Sequence, residues 1–217
     1  LNPSSAASDV YKRQVFEGIK SIASKKGFEV DFHDSNSDIL NITASDISST
    51  VEVAQDYDYV FVVVGDNSLR HLKKKKTAGE NMARANINLA GNQLNLVKSL
   101  NKLNNELIVI YVNGKPIAEP WIAENVNSII EAWEPGSLGG QAVGEIVFGD
   151  VNPSGKLPLT FPRSVGQLQM IYNHKPSQYF HDYAEEKITP LYPFGHGLSY
   201  SDSVSYTHLR AHETRIH

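Results

Sequence analysis

The sequence contains no cysteine, which excludes disulfide scaffolds, thiolate metal sites and cysteine nucleophiles from this chain of 217 residues. It also lacks an apolar run long enough to cross a bilayer, so we expect no membrane span. Strong positive charge is missing too. With a net charge of −4, the chain does not offer the basic surface that nucleic-acid binding requires. What it does contain is 41% apolar residues, enough for a folded core of ordinary size.

The two ends of the chain do not resemble ordinary protein sequence. Residues 9–14 (DVYKRQ) and 204–209 (VSYTHL) can be back-translated into reverse-complementary DNA, as two readings of one sequencing adaptor would be. We therefore predict that residues 1–14 and 203–217 are not native and that residues 15–202 form one domain. Removing the two segments takes away four basic and two acidic residues, which changes the net charge from −4 to −6. The absence of a signal peptide is then uninformative.

Apolar residues alternate between helical and strand-like patterns along the predicted domain. Helices are predicted over residues 15–26, 46–54 (capped by Asp46), 91–103 and 139–148. Strands are predicted over residues 28–32, 58–65, 107–112, 128–133 and 157–162. A turn is expected at 116–126, and an extended segment follows residue 163. This alternation predicts an α/β fold with an open, mostly parallel sheet.

Functional residues are expected where the strands end, because ligand sites in open α/β sheets lie outside the carboxyl ends of the strands. The loop that follows the strand at 58–65 carries Asp66, Glu80 and Arg84. A carboxylate there can act as a general acid or base if burial raises its pKa, although a lone glutamate on a polar loop is more often a solvated surface residue. The glycines within 136–140 either present backbone N–H groups to an anion or allow a helix to pack closely on a strand.

No cofactor and no metal are expected from the sequence. The Walker and GxGxxG phosphate-binding patterns are absent, and so is the GxSxG pattern of serine hydrolases. The histidines of the C-terminal segment lack the spacing of metal ligands.

Seven motifs follow one another along the chain: VVVGDN, AGENMAR, LAGNQLNLVKSL, VIYVNGKPIAEPWIAENV, EPGSLGGQA, FGDVNPSGKLPLTFPRSVGQ and PLYPFGHGLSY. Together they resemble the family-three glycoside hydrolases, most strongly their bacterial β-glucosidases, over residues 15–202. The resemblance implies a retaining, exo-acting β-glycosidase with two catalytic domains. This chain is similar to the second domain, a three-layer α/β/α sandwich. The nucleophilic aspartate would lie in a missing N-terminal barrel of the same chain, and the substrate would be a β-linked glucoside or oligosaccharide.

The resemblance also implies roles for individual residues. AGENMAR is similar to SGEGxDR, a pattern in which the family places its general acid/base, and this assigns Glu80 as the acid/base. Arg84 takes the arginine position of the pattern, whereas Ala83 stands where the pattern has aspartate. Asp66 is the competing carboxylate, and Asp66 and Arg84 are the candidates for substrate binding. Without the barrel we expect the isolated chain to be inactive. The resemblance further implies a periplasmic or secreted protein.

Three alternatives stay open at this point. The chain could be a non-catalytic accessory domain of the same family, or its specificity could be that of a β-xylosidase or an exo-glucanase. A nucleotide-binding or receiver-like α/β domain would need a glycine fingerprint or an acidic phosphorylation cluster after its first strand. The stretch DFHDSNSD (31–38) offers only the acids.

Overall fold

The computed structural model describes residues 7–36 (7–12 by their backbone only), 38–68, 76–79, 81–168, 170–172 and 183–201. Its helices and strands are, in chain order, α1 (Ala7–Lys26), α2 (Ala44–Ala54), β1 (Tyr59–Gly65), α3 (Gln93–Leu100), β2 (Glu106–Val112), α4 (Pro120–Asn125), β3 (Ser128–Glu131) and α5 (Gly139–Val147). A 3₁₀ turn follows at Val165–Gln167. None of the described helices is long and apolar enough to cross a membrane.

The three strands form one open sheet in the order β1-β2-β3, and both pairings are parallel. The register places Gly65 beside Val112, so the carboxyl ends of β1 and β2 are level. β3 ends at Glu131, which is paired with Tyr111 of β2. The predicted parallel sheet is therefore confirmed, and its strands all point towards the same edge. We call this edge, with the loops that leave it, the carboxyl edge.

Helices cover both faces of the sheet, because alternate side chains of each strand point in opposite directions. On one face Val62, Val64 and Val109 join a buried cluster with residues of α2, α3 and α4. On the other face Ile110 and Val112 pack with residues of α1 and α5. Burial on both sides explains why the strands are continuous apolar runs rather than alternating ones. The structure thus confirms a three-layer α/β/α arrangement.

Helices α1 and α5 approach each other closely because glycine stands at their contact. A Cβ atom on Gly140 would lie 1.8 Å from the backbone oxygen of Gln14, and one on Gly18 would lie 1.9 Å from the backbone oxygen of Gly140. Of the two roles predicted for the glycines after residue 135, Gly140 therefore serves close packing, although it packs against helix α1 and not against a strand. α1 begins within the segment predicted to be adaptor-derived. The domain boundaries at 14 and 203 stay predictions, and residues 203–217 lie outside the described residues.

Three local predictions for the first 126 residues are wrong. Residues 28–32 are not a strand: their segment pairs with no strand in the described structure, and its two phenylalanines instead contact aromatic rings of α1 and of the residue that caps α5. The predicted turn at 116–126 contains a helix, α4, which begins at Pro120, a residue suited to the first helical position. The cap of α2 is Thr43 rather than Asp46. Asp46 is the third helical residue, and its carboxylate accepts the backbone N–H of Thr43 at 2.7 Å in a capping box.

The C-terminal segment is extended, as predicted, but its predicted strand at 157–162 is reduced to one antiparallel bridge between Phe161 and Tyr192. The segment is held by isolated backbone hydrogen bonds, such as that from Leu157 N–H to His196 O at 2.8 Å. A strand needs a continuous ladder, which this proline-rich chain does not provide.

Candidate functional site at the carboxyl edge

The loop that leaves β1 begins with two buried polar residues. Asp66 is 8% exposed and Asn67 is 3% exposed. The backbone N–H of Asp66 donates to Val112 O at 3.0 Å, which continues the pairing of β1 with β2 by one residue. The backbone of Asp66 is therefore fixed to the end of the sheet.

Both carboxylate oxygens of Asp66 are occupied by donors. Lys115, from the loop after β2, places its Nζ 2.7 Å from Oδ2. Arg84 approaches Oδ1 at 3.5 Å, and the Thr77 hydroxyl donates to the same oxygen at 3.2 Å. Only 3% of the Asp66 side chain is exposed, against 22% for Lys115 and 19% for Arg84. We call these four residues the Asp66 cluster.

The loop returns to its own start through a second set of contacts around Thr77. The backbone N–H of Asn67 donates to the Thr77 hydroxyl oxygen at 2.8 Å, and the backbone N–H of Thr77 donates back to Asn67 O at 2.8 Å. Arg84 also binds within the loop, donating to Asn86 Oδ1 and to Asn88 O at 3.0 Å each. The segment around 76–84 is therefore tied to the end of β1 on both of its sides.

A glutamine closes the base of the loop. Gln93, the first residue of α3, is 1% exposed. Its Oε1 accepts the backbone N–H of Gly65 at 2.9 Å, and its Nε2 donates to Gly65 O and to Ala90 O at 2.9 Å each. The amide thus satisfies the last backbone groups of β1 and joins the two ends of the loop. Since buried backbone groups need partners, this is a structural role.

Another buried carboxylate holds the returning half of the loop. Glu119, which precedes α4, is 4% exposed, and its Oε1 accepts the backbone N–H of Leu89 at 2.8 Å. Burial raises the pKa of the Glu119 carboxyl, while the hydrogen bond from Leu89 opposes that shift. The Asn88 side chain donates to Ala118 O at 2.6 Å. These contacts attach the loop to the chain before α4.

The predicted acid/base, Glu80, lies outside the described residues. Its neighbours are described: Gly79 has φ +88° and Asn81 has φ +58°. The backbone N–H of Met82 donates to Gly79 O at 3.1 Å. Left-handed backbone is natural for glycine and tolerated by asparagine, and it is uncommon for other residues. The residue types at 79 and 81 therefore suit the positive φ angles found at these two positions.

The end of β3 contributes to the carboxyl edge a carboxyl group with a raised pKa. Glu131, the last residue of β3, accepts the backbone N–H of Trp133 at 3.0 Å, and Asn113 Nδ2 lies 3.5 Å from its other oxygen. Burial raises the pKa of Glu131 to about 7, the negative charge of Asp66 adds to this, and the two hydrogen bonds oppose it. Trp133 has φ +53°, an uncommon conformation for a bulky residue, and its backbone oxygen accepts from Asn113 N–H at 3.1 Å.

The structure brings Asp66 and Arg84, the two sequence-predicted binding residues, into direct contact. Whether either one touches substrate stays a prediction. The predicted site residues do not include six side chains that the structure places at the site: Thr77, Gln93, Asn113, Lys115, Glu119 and Glu131. Their shared signal is position, since they follow strands or flank the loop of β1. In the part of the chain that the structure describes, no group of three or more metal-ligating side chains comes together.

Comparisons with known proteins agree with this architecture. The sequence profile of the glycosyl hydrolase family 3 C-terminal domain matches residues 2–200. A β-xylosidase from Formosa agariphila is 36% identical over 196 residues, which cover 89% of this chain and 25% of that protein. The periplasmic β-glucosidase of Salmonella typhimurium is 38% identical over 165 residues, or 71% of this chain and 21% of that protein.

Solved structures show the same likeness. A β-glucosidase from Erythrobacter marinus superposes with a TM-score of 0.74 at 35% identity, covering 86% of this chain and 27% of that one. The β-glucosidase of Listeria innocua in complex with glucose gives a TM-score of 0.67 at 29% identity, covering 76% and 23%. The chain thus spans about a quarter of the length of the relatives it matches. It belongs to glycosyl hydrolase family 3 and carries the C-terminal α/β domain of that family.

Proposed function

We propose that this chain is the domain of a retaining, exo-acting β-glycosidase that supplies the general acid/base, and that β-glucosides are its substrates. The observation that best supports the proposal is that the AGENMAR loop is attached to the sheet on both sides of Glu80. Thr77 and Arg84, which lie on either side of Glu80, are both bound to Asp66 at the carboxyl edge. Ligand sites of open α/β sheets occupy this edge.

In the proposed mechanism, Glu80 first donates its proton to the oxygen of the leaving group while an aspartate nucleophile attacks the anomeric carbon. Glu80 then removes a proton from the water that hydrolyses the glycosyl–enzyme intermediate. One group serves both steps because it loses its proton in the first and regains one in the second. Direct contact of Arg84 with the sugar belongs to the same proposal.

The nucleophile is proposed to lie in an N-terminal barrel domain of the same polypeptide. Retaining hydrolysis needs two carboxyl groups about 5–5.5 Å apart. The carboxylates found together at the carboxyl edge, those of Asp66 and Glu131, are already engaged by protein donors. A substrate pocket between two domains is a common arrangement and would bring the second carboxylate to Glu80.

β-Xylosidase activity is the second candidate, because one of the relatives with the widest coverage of this chain is named a β-xylosidase. The two sugars differ by one hydroxymethyl group. A screen of aryl β-glucosides against aryl β-xylosides on the complete protein separates these specificities.

The proposed role of Glu80 is tested by Glu80→Ala in the complete protein. We expect the rate of hydrolysis of a β-linked disaccharide to fall by about 10²- to 10⁴-fold, the usual contribution of general acid–base catalysis. Glu52→Ala, an exposed glutamate on α2, is the matched control and should retain the wild-type rate. The isolated chain is expected to hydrolyse nothing. Turnover of an aryl glycoside by the pure chain would contradict the division of the site between domains.

A further inference from the structure

The Asp66 cluster connects three parts of the chain that are far apart in sequence. Asp66 itself directly follows β1, Lys115 comes from the loop after β2, and Thr77 and Arg84 come from the returning part of the β1 loop. Thr77 precedes Glu80 by three residues and Arg84 follows it by four. A single buried carboxylate therefore holds both flanks of the segment that carries Glu80.

We propose that Asp66 is a positioning residue, which fixes the acid/base segment against the sheet through Thr77, Arg84 and Lys115. This inference rests on the proposed function and makes Asp66 neither a second acid/base nor a ligand of the sugar. The geometry supports it, because each Asp66 oxygen already accepts from a protein donor and 97% of the side chain is covered (3% exposed).

The charge balance explains why this position requires a carboxylate. Two cationic groups, Lys115 and Arg84, lie within 4 Å of Asp66, and the neighbouring acid, Glu131, is held by Trp133 and Asn113. Replacing the carboxylate by an amide leaves the two partly buried cations facing each other with no anion between them. Removal of one partner of such a group is costly because the remaining charge is uncompensated. We expect the two flanks of Glu80 to separate as a result.

A displaced acid/base should affect one chemical step more than others. Protonation of the leaving oxygen matters for a sugar or alkyl leaving group, whereas dinitrophenolate departs without a proton. In the complete protein, Asp66→Asn should therefore lower kcat/KM for a β-linked disaccharide by about 10- to 100-fold, the scale of effect that a misplacement of about 1 Å produces. For the 2,4-dinitrophenyl glycoside the expected change in kcat/KM is less than about threefold, because its leaving group departs without needing a proton from the acid/base.

The matched control is Asp58→Asn, one residue before the same strand, at an exposed position. It should leave both substrates at the wild-type rate. Equal losses for both substrates in Asp66→Asn would show a general structural defect and overturn the inference, and so would wild-type rates for both. If Asp66→Asn does not fold, Thr77→Val carries the test, since it keeps the charges and the side-chain shape but removes the hydroxyl that joins Asp66 to Asn67.

The same assay with Glu80→Gln distinguishes failure of the inference from failure of the proposed function. If Glu80→Gln discriminates strongly between the two substrates but Asp66→Asn does not, only the positioning role is wrong. If Glu80→Gln shows no such discrimination, Glu80 is not the acid/base, and the positioning role falls with it.

Discussion

The carboxyl edge of the sheet and the contact between α1 and α5 are both buried, yet they are held together by opposite means. At the carboxyl edge, Asp66 and Gln93 join loop to strand through ion pairs and hydrogen bonds. Between the helices, backbone packs on backbone at Gly18 and Gly140, with no room for a side chain. The first region depends on charge and hydrogen-bonding groups, and the second depends on volume.

This difference predicts which property each region controls. A change of volume at the helix contact should destabilise the fold, because close-packed backbone cannot move aside cheaply. A change of charge at the carboxyl edge with the shape conserved should disturb the site more than the fold. The variants below test this division, from the largest expected effect on stability to the smallest.

Gly140→Ala should destabilise the chain most. Its Cβ would lie 1.8 Å from the backbone oxygen of Gln14, so α1 and α5 have to separate. We expect a loss of about 3 kcal/mol, at the upper end for overpacking. This corresponds to a fall of about 6–12 °C in the midpoint of thermal unfolding, measured by circular dichroism. The control is Gly155→Ala, whose Cβ would have no atom within 4 Å. If the two variants have the same midpoint of thermal unfolding, α1 and α5 are not in close contact.

Gln93→Leu should have the next largest effect. It removes the partners of three backbone groups, the N–H and C=O of Gly65 and the C=O of Ala90, in a site that is 1% exposed. An unsatisfied buried group costs about 1–3 kcal/mol, and because these losses do not add fully we expect about 2–3 kcal/mol in total. Chemical denaturation of this variant and of the exposed control Gln55→Leu measures the difference. Equal stabilities would mean that Gln93 does not close the loop.

Glu131→Gln should have the smallest effect, and one that changes with pH. The folded protein keeps the Glu131 proton up to about pH 7, whereas the unfolded chain releases it near the ordinary glutamate value of 4.5. The folded state therefore binds more protons between these values, and the stability of the wild type falls as the pH rises through that window. The glutamine variant lacks this loss. Because Glu131 is only partly covered, we expect its advantage to grow by about 1 kcal/mol, or about 2–4 °C, from pH 4.5 to pH 8.

Thermal unfolding of both proteins across this pH range measures the difference between them. A constant difference at every pH would show that folding does not raise the pKa of Glu131. The control variant is Glu52→Gln, which removes the same charge at an exposed position on α2.

The sequence predicts the layered fold well because its strongest signal is burial. β1 and β2 are apolar on both faces, and this pattern reports the covering helices directly. The apolar pattern predicts secondary structure wrongly where a strand would need a neighbouring strand to pair with. Residues 28–32 alternate as a strand would, but a strand requires a neighbour to pair with. Residues 157–162 find only the bridge from Phe161 to Tyr192.

The site is predicted less completely than the fold. Asp66 stands out because it directly follows a buried strand, and Arg84 stands out because it takes the arginine position of the family pattern. Lys115 and Thr77 do not, since their roles depend on which loops meet in space. Gln93 illustrates the limit: as the first residue of a helix it looks unremarkable, and only the folded chain brings its amide to Gly65.

The most direct test of the central claim is the product that Glu80→Ala forms in the presence of azide, with a dinitrophenyl β-glucoside as substrate and the complete protein as enzyme. Azide needs no general base, so it should attack the glycosyl–enzyme intermediate in place of water. We predict that azide raises the turnover of this variant and that nuclear magnetic resonance identifies β-glucosyl azide, with the configuration retained. If the rate does not respond to azide and glucose is the only product, Glu80 is not the acid/base.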